Sequence, residues 1–275
     1  MTEPPDACRQ EPTGSSPARG KGVRAALGFR DGDKGTHSSR TLMLIELEQL
    51  LAATPPEAVM TDFRRVVVDE NVLGKRSATT REHTVRKLKA LYGLDPAIPV
   101  YRVMRQLWTD DAEGHPLLAL MCGVARAPLL RESVAAVSDV SLGMEVTHEQ
   151  LAATVRSSFS VATRDAIISH LMSTWTMGGF LSESAAKVRV RAKATPGAAT
   201  YALVLGYLEG GRGSLLLSTR WTKLLDRTPD EVLSLVQQAA RRGWVQYRAA
   251  GDVQEIRLDG WLTDEEKGWC HGQPG

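Results

Sequence analysis

Apolar residues recur at steps of three and four along most of the chain, the period of helices with one buried side. The clearest case is Asn71 to Leu94. Ala78, Val85, Leu88, Leu91 and Tyr92 fall on one face of a helix, with Thr79, His83, Arg86 and Lys87 turned away from it. Gly74 breaks the preceding element and Gly93 supplies a stop. Ser77 or Thr79 is placed to cap the helix, and Thr79 with Glu82 fits a capping box. Arg81 lands beside the apolar stripe, where it must snorkel or find an acid such as Asp69 or Glu70. Upstream, Pro55 to Val72 reads as a helix capped by Thr54, with Pro55 at its first position. Helix, tight glycine turn and basic helix form the grammar of a helix-turn-helix; an ordinary helical hairpin with a solvated basic face has the same pattern.

The rest of the chain extends this α-rich pattern. Ser38 to Ala53 is a first helix, and Val100 to Trp108 follows a proline-bearing linker, with Arg102 and Arg105 on its polar side. Ala112 to Ala125 and Leu129 to Val137 are apolar enough to form the core of an N-terminal bundle. From Ser141 the grammar changes. Thr147 with Gln150 caps one helix and Ser160 caps another, Val161 to Met177. Val188-Arg189-Val190-Arg191 then alternates like a strand, which would put Arg189 and Arg191 on one exposed wing. The order repeats after Thr195: two helices, a third starting at Thr228-Pro229-Asp230-Glu231, and a hairpin from Trp244 to Leu258. A helix–glycine–aromatic junction occurs twice, at Gly178-Gly179-Phe180 and Gly243-Trp244. The predicted fold class is mainly α: an N-terminal helical bundle with a helix-turn-helix, followed by one or two winged-helix units with short β-hairpins. The boundaries are a disordered tail over 1–37, a helical domain over 38–140, winged-helix-like units over 141–194 and 195–260, and a tail over 261–275.

Composition narrows the function classes. The chain has 275 residues and a formal net charge of +2, so overall charge does not demand a nucleic-acid partner, but basic residues outnumber acids between Arg64 and Arg105. Cys8, Cys122 and Cys270 are far apart and lack metal-site spacing, which suits a reducing cytoplasm. No run approaches the ~18 uninterrupted apolar residues of a membrane span. No catalytic motif is present: Gly206 to Gly213 lacks the Lys-Ser/Thr of a phosphate loop and follows a helix. The sequence therefore predicts no enzyme, no metal and no cofactor.

Asn71, Leu73, Lys75, Arg76, Ser77 and Thr80, in the form N-x-L-x-KRS-x-x-T, stand before the basic helix Arg81 to Leu91. In these residues, and in the order of later helices such as Ser160 to Trp175 and Tyr201 to Leu208, the chain resembles the BrxA family of bacterial BREX phage-defence systems over roughly residues 39 to 258. It differs in its polar N-terminal tail, in the Tyr92 to Trp108 segment and in its long C-terminal part. The resemblance implies a mostly helical DNA-binding accessory protein, encoded beside an ATPase, a methyltransferase and a phosphatase-like protein. The expected partners are double-stranded DNA and other BREX components, with no membrane and a cytoplasmic location. Lys75, Arg76, Arg86 and Lys87 would neutralise phosphates; Ser77, Thr79 and His83 would approach base edges or phosphates; Arg189 and Arg191 would sit on the wing. A protein–protein scaffold of the defence complex, or RNA binding, are the rival readings.

Overall fold

The computed structural model describes residues 17–32, 40–156, 158–250 and 253–271. It is mainly helical, with α1 Pro17–Leu27, α2 Leu44–Ala52, α3 Met60–Arg64, α4 Ala78–Tyr92, α5 Pro99–Asp110, α6 His115–Arg126 and the short α7 Pro128–Glu132 and α8 Val134–Ser138. The second half holds α9 His148–Ala152, α10 Val161–Met177, α11 Pro196–Leu208, α12 Arg220–Lys223, α13 Pro229–Arg241, strands β1 Gln246–Ala250 and β2 Val253–Arg257, and α14 Asp264–His271. The strands form one antiparallel hairpin, with Tyr247 opposite Ile256 and Arg248 opposite Glu255. No helix among the described residues is long and apolar enough to cross a membrane.

Helix α11 is the axis. Residues 197–206 are buried without interruption, so this helix has no solvent face, the condition of a helix that is apolar all round. It packs against α5 and α6 from the first half of the chain and against α12, α13 and α14 from the second. Its polar needs are met internally. Thr195 caps its start by accepting from Ala198 N–H at 3.1 Å and donates to buried Asp111, and the Tyr201 hydroxyl donates to the Val100 carbonyl at 2.8 Å. One continuous core therefore runs from Leu27 to Cys270, through all the predicted segments.

Local starts and stops obey the predicted chemistry where they depend on near neighbours. Thr147 and Gln150, and Thr228 and Glu231, form reciprocal capping boxes, and Ser160 accepts from Thr163 N–H. The two helix–glycine–aromatic junctions share one geometry. Gly179 and Gly243 have φ of 80° and 76°, and the next N–H reaches back five residues, from Phe180 to Trp175 and from Trp244 to Ala239, the bond pattern of a Schellman stop. Beyond the junctions the two segments diverge. Gly243 leads into the hairpin, whereas Val188 and Arg189 make only isolated bridges to Glu145 and Leu181. The helix expected over Pro55 to Val72 begins at Met60, where the Asp62 carboxylate accepts from Val59 N–H, and it ends in a π turn over Arg65–Asp69. Thr54 does not cap it; the hydroxyl donates back to Leu50.

Both predicted tails need correction. Part of 1–37 is packed: Leu27 and Phe29 are 0% and 1% exposed, and Phe29 sits 6.1 Å from Trp221. Arg126 donates to Gly28 O, Arg131 to Arg30 O and Asp31, and Arg24 bridges Asp31 to Glu209. Two apolar side chains and a row of anchored carbonyls suffice to hold a segment that shows no hydrophobic period. Residues 1–16 and 33–37 lie outside the described residues. Within 261–275, Leu262 and Cys270 are buried, Trp261 donates to Trp244 O and Glu266 pairs with Arg102, so α14 docks on the core.

Phe29→Ala should destabilise the protein by about 3–5 kcal/mol, read from the denaturant midpoint; an unchanged midpoint would show that the segment is not anchored. Burial works to raise the Asp31 carboxyl, but the guanidiniums of Arg24 and Arg131 outweigh it and hold it below its ordinary value. That contribution is full above the ordinary carboxylate pKa of ~4 and is lost as pH falls through the lowered one. Asp31→Asn should therefore cost stability near neutrality, by under ~1 kcal/mol because the side chain is partly solvated, and the gap to wild type should close as pH falls through the lowered Asp31 pKa. A gap that widens on acidification would contradict it.

Candidate nucleic-acid interface

The connection between the π turn and α4 runs from Glu70 to Ser77, longer than the three- or four-residue turn of the usual helix-turn-helix. Asn71 and Gly74 take left-handed φ of 54° and 62°. The Asn71 side chain accepts from Lys75 N–H at 2.8 Å, holding its own loop, which is why Asn tolerates this conformation. Leu73 is buried and pins the loop to the core. Ser77, not Thr79, caps α4: its hydroxyl accepts from Thr80 N–H at 3.1 Å and lies 2.9 Å from the Thr80 hydroxyl. Glu82, free of the expected box with Thr79, pairs with Arg64. Arg81 finds a carbonyl rather than an acid, donating to Val68 O and closing the end of the preceding element.

These contacts sort the predicted residues. Arg76, Ser77, Thr79, His83 and Arg86 are exposed and Lys87 is part-exposed. Thr79, His83, Arg86 and Lys87 line the outer face of one helix over about 12 Å at ~1.5 Å per residue. Val85, Leu88, Leu91 and Tyr92 are buried beneath them. Lys75 departs from this group. Its ammonium is 2.9 Å from the Glu46 carboxylate, with both side chains about three-quarters covered, so its charge is spent on α2. Two cations join the face that sequence patterning did not select. Arg64 and Lys89 line a groove with Arg86 between α3 and α4. Lys89 stands three residues after Arg86, a spacing that marks it as a neighbour on the helix surface.

Arg189 and Arg191 do not share a face. Arg189 is 2% exposed, its guanidinium pairs with Asp226 at 2.8 Å, donates to Val137 O at 3.1 Å and lies 4.7 Å from the Phe180 ring centre. Arg191 is half-exposed beside Glu231. Residues 188–191 are not held in a regular ladder, so strict alternation fails to set which side faces solvent. Arg105, expected on a polar side, is also buried and donates to Leu51 O and Thr54 O at the end of α2.

Arg189→Ala should destabilise by about 3–5 kcal/mol, since it leaves Asp226 without its partner, whereas Arg191→Ala should stay within about 0.5 kcal/mol. Thermal or denaturant melts of the two variants check this; equal effects would return Arg189 to the surface. A comparison of the chain with protein-family models and with curated proteins finds no match.

Proposed function

We propose that the chain is a duplex-DNA-binding accessory protein of a BREX-like phage-defence system that docks through the outer face of α4. The observation that carries this reading is that face and the loop leading into it: Arg76 stands exposed just before the Ser77 cap, and His83 and Arg86 stand exposed on the helix, with Lys87 and Lys89 beside them, while the only acid of the helix, Glu82, is engaged by Arg64. A rigid helix with cations on one side can lie along a groove and meet phosphates on its walls, with Ser77 and Thr79 near its start adding short hydroxyl donors. Lys75 acts here as a positioning residue that holds the α4 entry against α2. The motif resemblance supplies the defence context. The hairpin β1–β2 after α13 supports a winged-helix reading of the C-terminal part, but Asp230 and Glu231 in the first turn of α13 would repel phosphate where such a helix would enter a groove.

A scaffold role is the second reading, favoured by a specific surface. Leu142, Met144 and Val190 are 46%, 60% and 37% exposed, on two segments joined by backbone bonds between Arg189 and residues 143 and 144. Large apolar side chains gathered in this way suit a protein partner.

Salt-dependent binding separates these readings. Affinity for duplex DNA should fall as salt rises, and Arg76→Ala with Arg86→Ala should flatten the log–log slope by about 2, at ~0.9 per phosphate contact. Lys75→Ala should leave the slope nearly unchanged. A folded Arg76/Arg86 double variant with wild-type slope would move the contact elsewhere. Preference for RNA of the same sequence, or no binding at low salt, would put the RNA or scaffold reading first.

A further inference from the structure

Arg105 brings a full positive charge to a position 5% exposed, and burial works to lower its pKa. Among the described residues it has no ion-pair partner; Glu57 acts on it only at longer range. One terminal nitrogen donates to Leu51 O and Thr54 O, the other reaches Thr109 Oγ1 only at 3.5 Å, and Nε has no acceptor. The hydroxyl of Tyr101, one turn earlier on α5 and within range of the same charge, is also buried without a partner. Carbonyl dipoles at the end of α2 offset part of the charge, but a buried cation with no ion-pair partner among the described residues and an idle donor is costly and uncommon.

Arg105 lines an open-sided cavity of about 510 Å³ between α2, α5 and the start of α6. Its walls are largely apolar, with Ala52, Pro56 and Trp108. His115 stacks on Trp108 with ring centres 3.8 Å apart, and its Nε2–H donates to the Trp108 carbonyl at 2.8 Å, so this wall is held in place. Glu48 stands beside His115, at 3.7 Å, and is exposed. One buried cation, apolar walls and a rim acid match a monoanion with an apolar body and disfavour a compact dianion.

We propose that this cavity is a binding site for a small organic carboxylate, whose anionic end meets Arg105 and whose body lies along Ala52, Pro56 and Trp108. It lies on different residues from the α4 face and does not depend on the nucleic-acid reading. The test uses the full chain without nucleic acid, titrated by calorimetry with benzoate and, separately, with inorganic phosphate, while the His115 ring signals, assigned with His115→Gln, are followed by NMR. Benzoate should bind at one site with a Kd of about 1 mM, as its size allows, and shift the His115 signals; phosphate should bind at least about tenfold more weakly. Arg105→Lys should weaken benzoate about tenfold by losing the flat donor fork. Because Arg105 also ties down α2, Ala52→Trp is the second variant: Ala52 is exposed, and the larger side chain should fill the cavity and abolish binding without touching Arg105. No benzoate binding, wild-type binding by Ala52→Trp, or phosphate binding as tight as benzoate would each overturn the proposal.

Discussion

The burial of α11 on every side is the constraint that the other elements answer to. A helix without a wet face needs neighbours all round it, and it obtains them from both halves of the chain: α5 and α6 before it, α12, α13 and α14 after it. Small residues at Gly197, Ala198, Ala199 and Ala202 let those neighbours approach. At Gly197 a side chain would collide with Asp111, and at Gly206 with Thr219. The helix start is equally committed, since Thr195 both caps it and donates to Asp111. This crowding leaves the outer helices, α4 among them, as the surface that can meet another molecule.

Arginine is used in two opposite ways around that core. Arg76, just before α4, and Arg86, on it, extend into solvent. Arg105, Arg126 and Arg189 are buried and serve backbone carbonyls, with Asp226 as the acid partner of Arg189. The planar fork suits this second task because its donors can bridge several carbonyls that helix ends leave without partners. A basic count between Arg64 and Arg105 therefore overstates the charge presented to a ligand.

What could be read from the sequence depended on distance along the chain. The capping boxes at Thr147 and Thr228, the Ser160 cap, both glycine stops, the hairpin and the apolar face of α4 rest on residues within one or two turns, and they lie close to their expected places. Lys75 and Arg189 look like surface cations in sequence because nothing nearby reveals Glu46 or Asp226, which are brought in by other elements. The packed segment at Leu27 and Phe29 was illegible for a related reason: two apolar residues among glycines and charges carry no period, and the neighbours that cover the segment come much later in the chain, Trp221 beside Phe29 and Ile98 and Val100 against Gly28. The candidate α4 face was legible as a set of side chains, while its loss of Lys75 and its extension to Arg64 were not.

The bridge from Arg24 to Glu209 spans 185 residues, and Arg102 to Glu266 spans 164. Contacts this distant form only after the intervening chain has been made and ordered, so their closure entropy is met late. During synthesis the N-terminal helices must wait on the ribosome with their α11-facing sides uncovered until that helix and its partners emerge. The interval between translation of α6 and of α14 is thus when the nascent chain is most exposed to aggregation and most in need of chaperone cover.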